Sequence, residues 1–209
     1  MKAKFGIVMM VLGSVLLASA LGLFLMNQRE QQQAGEAVDV LMPQIVEVIN
    51  HRIETPRPTG PESDAPTLPV AVEKEEKSMA VEEIDCYGYI GFVGVPALGL
   101  ELPVMADWSY KQLKIAPCRY TGDMYDDNLV IMAHNYKRHF GGLKDLRPGD
   151  SVTFTDMDGN TVYYEVVATD VLVPTAIEDM TAGEYDLTLF TCTYGGKSRV
   201  TVRCDRVEA

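Results

Sequence analysis

Leu187-Thr188-Leu189-Phe190-Thr191-Cys192 is a run of β-branched, aromatic and leucine residues that ends on a thiol, and its reading decides the fold. In a strand the side chains alternate, so Leu187, Leu189 and Thr191 face one side while Thr188, Phe190 and Cys192 face the other. The next segment, Arg199-Val200-Thr201-Val202-Arg203-Cys204, alternates in the same way. Its Arg199, Thr201 and Arg203 oppose Val200, Val202 and Cys204. Upstream, Leu129-Val130-Ile131-Met132-Ala133-His134-Asn135 is another apolar strand that ends on a histidine. A nucleophilic thiol, an imidazole and a guanidinium at three strand ends are the groups that covalent acyl transfer needs. The alternation predicts that the thiol leaves the apolar face, so that the active groove lies on the outside of a barrel. Arg203 shares a face with Arg199 and is a second candidate for the guanidinium, while Cys204 packs inward as a small hydrophobe.

Short strands dominate the remainder of residues 86–209. Leu98, Leu100, Leu102 and Val104 alternate, and Ser151–Thr155 and Thr161–Val167 flank the turn Asp156-Met157-Asp158-Gly159-Asn160, with Val171-Leu172-Val173 following. The pattern predicts an antiparallel all-β domain with short helices at residues 108–115 and 142–146. Closure into a barrel is the economical solution, since it removes exposed strand edges.

Thr188-Leu189-Phe190-Thr191-Cys192 resembles the Thr-Leu-x-Thr-Cys signature of the sortases, membrane-anchored cysteine transpeptidases of bacterial surfaces. Ala133-His134-Asn135 is similar to the family's histidine at a strand end, and Arg199 to the arginine that opens the strand after the cysteine. The likeness runs from about Tyr87 to Val207 and takes in Gly88-Tyr89-Ile90-Gly91, Leu102-Pro103-Val104 and His139-Phe140-Gly141-Gly142-Leu143. It implies a closed eight-stranded sortase-type barrel with His134, Cys192 and Arg199 as the catalytic residues. It also implies a donor protein with a C-terminal sorting signal of the Leu-Pro-x-Thr-Gly kind and an acceptor amine on a peptidoglycan precursor. The sequence ends soon after the last strand, without the C-terminal membrane helix common in pilus-polymerising sortases, and has no Asp-Pro-aromatic lid motif before the first strand, which favours anchoring single proteins over building pili. The short connection Pro174 to Asp186 leaves the subclass open, with a class B or class D type expected.

Toward the amino terminus the chain changes character. Residues 5–26 carry no charge and are long enough to cross a bilayer, for which about 20 residues are needed. Lys2 and Lys4 precede them, so residues 1–4 are expected in the cytoplasm and everything from Asn27 outside. Ala18-Ser19-Ala20 has the form of a signal-peptide cleavage site, but the apolar run continues past it, which favours an uncleaved anchor. Val38, Leu41, Ile45, Val48 and Ile49 recur at helical spacing within residues 35–53 and predict an amphipathic stalk helix. Residues 55–83, with Pro56, Pro58, Pro61, Pro66 and Pro69 and the run Glu73-Lys74-Glu75-Glu76-Lys77, read as a tether. Stalk and linker together are expected to span residues 27–85. Once Lys2 and Lys4 are set aside from the 18 basic residues, 16 face 30 acidic ones, and residues 27–209 carry a formal charge of −14. That excludes nucleic acid as a natural partner, since phosphate binding needs clustered cations.

Other readings of the same residues make different predictions. A hydrolase would use the same groups, with water in place of the amine. A surface-tethered binding module would treat Cys192, His134 and Arg199 as coincidence. His139 is the nearest rival to His134 for the base, and His51 belongs to the stalk. With Cys192 free, at most one disulfide can form among Cys86, Cys118 and Cys204; Cys86 with Cys118 is one pairing. Zinc lacks its usual spacing, having no Cys-x-x-Cys and no close histidine pair. Asp156-x-Asp158-Gly159-Asn160 begins like a calcium loop but has no Glu at the twelfth position, and a hairpin turn accounts for it. No cofactor is expected, although some sortases use calcium.

Overall fold

The computed structural model describes residues 2–55, 77–182 and 184–208. The proline-rich part of the expected tether, residues 56–76, lies outside the described residues. Among the described residues nine strands follow one long helix: β1 (Glu82–Ile84), β2 (Tyr87–Val95), β3 (Leu100–Met105), β4 (Cys118–Thr121), β5 (Leu129–Ala133), β6 (Ser151–Asp156), β7 (Thr161–Leu172), β8 (Leu187–Cys192) and β9 (Arg199–Arg206). Eight of them close a ring in the order β2-β3-β4-β5-β8-β9-β7-β6, and β6 pairs back onto β2. β1 adds to β2 outside that ring. The closed eight-stranded barrel expected from the sequence is therefore present.

The pairing is mixed, not wholly antiparallel. β3 runs parallel to β4, and β5 parallel to β8. Parallel neighbours need a crossover, and the β5–β8 crossover is the whole β6–β7 hairpin. That hairpin turns on Asp156, whose buried carboxylate accepts from the backbone N–H of Asp158 (3.0 Å) and Asn160 (2.8 Å) and from the Tyr125 hydroxyl. The carboxylate is thus occupied in closing its own turn. Among the described residues no group of three His, Cys, Asp or Glu side chains gathers as metal ligands would.

Alternation along the strands sorts the barrel interior. Leu187, Leu189, Val200, Val202 and Cys204 join Val93, Leu102, Ile131, Phe140 and Phe154 in the main core, whereas Phe190 packs on the outer face with Val130 and Met180. Two short helices pack on the outside of the barrel, α2 (Tyr110–Leu113) through Leu113 and α3 (Ile177–Thr181) through Met180. Ser109 caps α2 by accepting from the Gln112 N–H at 3.2 Å. The helical turn expected at 142–146 is a 3-10 helix over Phe140–Asp145.

The amino-terminal helix, α1 (Lys2–Glu54), is continuous through Pro43. Its first part is long and apolar enough to cross a membrane. Its second part does not stand free as a stalk. Val38, Leu41, Ile45 and Ile49 are buried, the last three against Tyr89, Met105, Leu113, Cys118 and Met157 on the outside of the barrel. The helical spacing that predicted an amphipathic helix is therefore the spacing of a docking face. The domain also begins earlier than residue 86. Met79 is buried, and Asp123 accepts from the Ser78 hydroxyl and the Met79 N–H, both at 2.9 Å, so this end of the expected tether belongs to the barrel.

Candidate active site

Strand order brings β5, β8 and β9 side by side. In the parallel β5–β8 ladder Ala133 is opposite Thr191, so the next step in each strand sets His134 beside Cys192, on strands about 4.8 Å apart. In the antiparallel β8–β9 ladder Cys192 is opposite Arg199. The Thr191 hydroxyl donates to the Ala133 carbonyl at 2.8 Å and pins the two strands at the level of the histidine. Beyond Cys192 the chain reverses through Gly195 and Gly196, whose φ of 79° and 71° lie in the left-handed region that glycine tolerates. Thr193 and Ser198 close that turn, with N–H to carbonyl at 2.9 Å. The thiol, the imidazole and the guanidinium come together because two ladders and one glycine turn put them there.

All three are half-buried and line one groove on the outer face of the barrel, a cavity of about 180 Å³. Its walls are aromatic and apolar. Trp108 lies against Tyr120, with ring centroids 6.0 Å apart, and Tyr120 meets Phe190 edge to face at 5.4 Å. Ile177 and Met180 of α3 and Pro174 complete its lining. A larger hollow of about 620 Å³ between α1 and Glu101 contains His51 and no nucleophile.

Burial is the main force on His134 and lowers its pKa, because the charged ring is desolvated. Lys114 lowers it further, and Glu30 of α1 opposes both. His134 is therefore mostly neutral at neutral pH, able to accept a proton from a neighbouring thiol. His139, the rival base, is fully buried outside the groove. Its ring faces Tyr136 at 5.6 Å, neither ring nitrogen has a hydrogen-bond partner, and burial pulls its pKa down to about 4. It can neither reach a groove substrate nor hold a proton at neutral pH.

Arg199 uses one guanidinium nitrogen, Nη1, on the carbonyls of Gly196 and Ser198, each at 3.3 Å. Arg203, the second candidate, is a brace. It is buried, its Nη1 donates to the Met180 carbonyl and the Thr188 hydroxyl at 3.1 Å, its Nη2 donates to the Asp179 carbonyl, and its Nε faces Asp170. It holds α3 against the barrel and so builds the groove wall that Met180 provides. All four cysteines are free: Cys86 exposed in the β1–β2 turn, Cys118 and Cys204 buried with their thiols pushed up to about 12, Cys192 half-buried at the groove. Sequence reading missed the aromatic wall and α3. Phe190 could have been found, since it shares the face of Cys192, whereas nothing local marks Trp108 or Tyr120 as its neighbours.

The chain is a closed barrel whose outer groove is lined by a thiol, an imidazole and a guanidinium. The Sortase domain family model matches residues 93–207, more than half of the chain. The chain belongs to the sortase family. Sortase A from Corynebacterium diphtheriae is 26% identical, with a TM-score of 0.52 over 59% of this chain and 62% of that one. Sortase C1 from Streptococcus suis is 28% identical, with a TM-score of 0.51 over 58% of this chain and 74% of that one. Sortase C1 from Streptococcus agalactiae is 27% identical, with a TM-score of 0.52 over 61% and 72%. The chain thus spans less than two thirds of the diphtheria enzyme's length. No curated protein gives a significant match.

Proposed function

We propose that the protein is a membrane-anchored transpeptidase in which Cys192 is the nucleophile, His134 the proton carrier and Arg199 the group that holds the reacting carbonyl. The reading rests chiefly on one observation, the paired ladders that set His134 and Arg199 on either side of Cys192 at one groove. The Cys192 sulfur attacks the carbonyl carbon of a peptide bond while its proton passes to the neutral His134 ring. The imidazolium then gives that proton to the departing amine, the C–N bond breaks, and a thioester remains on the sulfur. Arg199 stays charged throughout and offers donors to the oxyanion, a service worth roughly 3 kcal/mol per donor. An incoming amine attacks the thioester, loses a proton to His134 and leaves with the acyl group, which restores the thiol.

The donor is a secreted protein with a sorting signal of the Leu-Pro-x-Thr-Gly kind, and the acceptor is a peptidoglycan amine. The aromatic groove suits an apolar peptide segment. The apolar part of α1 crosses the cell membrane with Lys2 and Lys4 inside, leaving the barrel on the outer surface. The class B or class D type stays a proposal on the same footing.

The test uses the full chain in detergent micelles, because α1 is part of the folded unit. The protein and Cys192→Ala are incubated with a library of Leu-Pro-x-Thr-Gly-like and Asn-Pro-x-Thr-x-like peptides and excess triglycine, then analysed by mass spectrometry. Peptide cut after Thr and joined to triglycine, with an acyl adduct on Cys192 absent from the variant, is the expected result. Cleavage without ligation would make the protein a hydrolase, and no adduct with any peptide would return it to a binding module.

A further inference from the structure

The family match begins at residue 93, yet the loop that carries His134 is held from outside that span. His134 is followed by a tight turn in which the Phe140 N–H donates to the His134 carbonyl at 3.2 Å, and the N–H groups of His139 and Gly141 both donate to the Tyr136 carbonyl at 3.0 Å. The ring of Tyr136 lies 4.8 Å from that of His134.

Helix α1 touches this turn at three places. Glu30 accepts from the Tyr136 hydroxyl at 3.3 Å and from Lys114 Nζ at 2.9 Å. Ala34, fully buried, brings its backbone to the buried His139 ring, which the Ile115 backbone and the Tyr136 ring also approach. Asp39 takes the guanidinium of Arg138 with both oxygens, one contact at 2.6 Å and the other shorter. The approach is close enough that a Cβ added at Gly35 would come within 2.7 Å of Arg138 Cδ. Glu30 lies four residues beyond Met26, the end of the apolar run, so the clamp begins about 6 Å along the helix axis from the membrane-crossing segment.

We propose that the turns of α1 from Glu30 to Asp39 form a positioning clamp on the His134 loop, so that the anchor helix completes the active site from outside the barrel. The proposal rests on His134 being the proton carrier. Glu30 and Asp39 are positioning residues: they act through Tyr136 and Arg138 and meet no substrate. A histidine displaced by about 1 Å in such a site can cost up to about a hundredfold in turnover, so a clamp of this kind is a functional part and not only a support.

The experiment uses the full chain in lipid nanodiscs and has two readouts. The first is kcat and KM for the transpeptidation peptide in Asp39→Arg, Arg138→Asp, the charge-swapped double variant and Glu30→Gln. The second is the titration of the His134 ring followed by NMR in a Cys192→Ala background. Lys114, Glu30, Tyr136, His139, Cys192 and Arg199 are the polar groups around that ring. Asp39→Arg is expected to lower kcat about tenfold with KM within about twofold, and the swapped pair to recover to within about threefold of the parent. Glu30→Gln keeps the hydrogen-bond acceptor and removes a charge that favours the imidazolium, so the His134 midpoint is expected to fall. If kcat stays within twofold in Asp39→Arg and in Glu30→Gln, or if KM alone moves, the clamp is wrong. Should the parent chain turn over no peptide, the transpeptidase reading fails separately, and an unmoved His134 midpoint in Glu30→Gln would then overturn the clamp.

Discussion

The two halves of α1 share one backbone and differ in what surrounds them. From residue 6 to Met26 nearly every side chain is exposed, while from Ala34 to Ile49 an apolar stripe repeats every three to four residues and is buried. Exposed leucines and valines over that length ask for lipid, whereas the stripe asks only for another apolar face, which β2, β3 and β4 supply through Tyr89, Met105 and Cys118. A single helix thus changes surroundings near residue 30 with its helical backbone continuous. Apolar helix and folded barrel are continuous here: the helix whose first half is long and apolar enough to cross a membrane also closes, with its second half, a hydrophobic cluster on the barrel.

A carboxylate placed on each half of α1 separates the two environments. Ile45 has no exposed surface, and Ile45→Asp is expected to cost at least about 4 kcal/mol, from a lost side chain and an unpaired buried charge, read as a fall in the thermal midpoint of the full chain in micelles. Leu16→Asp is expected to leave that midpoint alone and to impair insertion by about 3 kcal/mol, read as a loss of the membrane-integrated fraction. Equal effects on barrel stability would erase the distinction between the halves.

Thiol labelling separates the helix-covered cluster from the barrel core. Cys118 belongs to the cluster under α1, whereas Cys204 lies in the barrel core. With iodoacetamide and peptide mapping, the parent is expected to label at exposed Cys86 and at Cys192 and to protect the two buried thiols. In Ile45→Asp, under conditions where the barrel holds, Cys118 is expected to gain labelling at least about tenfold while Cys204 stays protected. Simultaneous exposure of both would mean that helix and barrel unfold as one unit.

His139 gives a pH test of the same boundary, because Ala34 is part of its cover. In the unfolded chain its ring titrates near 6.5, while burial keeps it neutral in the folded protein down to about 4. Between those values the unfolded state binds the extra proton, so this contribution is intact above pH 6.5 and is lost as the pH falls toward 4. The full loss is about 3 kcal/mol. His139→Leu removes it, so denaturant midpoints of parent and variant are expected to diverge below pH 6.5, with the variant the more stable. Parallel pH curves would mean that the ring is hydrated and that α1 does not seal it.

Much of this arrangement was legible in the sequence, and the limits follow from what spacing can carry. Period-2 alternation placed Cys192 outside the barrel and Cys204 inside, because the pleat fixes that choice locally. The helical period of Val38, Leu41, Ile45 and Ile49 was equally plain. Its partner was not: a stripe records that a face is buried and not what buries it, so a docked helix read as a stalk. Parallel pairing of β5 with β8 was hidden for the same reason, since their neighbourhood is decided by a crossover of more than fifty residues. Arg203 looked like Arg199 because alternation gave both one face. Only the fold shows that α3 covers the first and leaves the second at the groove. Glu30 carried no signal, because its partners lie 84 and 106 residues away.

The smallest expected effect asks which force docks the helix. Near the end of α1, Arg52 pairs with Glu82 of β1 and, at 2.6 Å, with Asp158 in the β6–β7 turn. All three side chains retain solvent contact, so the attraction is screened and offset by the entropy of holding long side chains. Arg52→Ala is expected to cost about 0.5 kcal/mol, and a double-mutant cycle with Asp158→Ala to give a coupling of similar size that fades in 1 M salt. Set against Ile45→Asp, that ratio would assign the docking to apolar contact, with the ion pairs fixing only where the helix ends. A coupling of 2 kcal/mol or more that survives salt would reverse the assignment, since buried stripe and charged end would then contribute on the same scale. The second half of α1 would in that case be a helix steered onto the barrel by charge, and its resemblance to a core helix would be secondary.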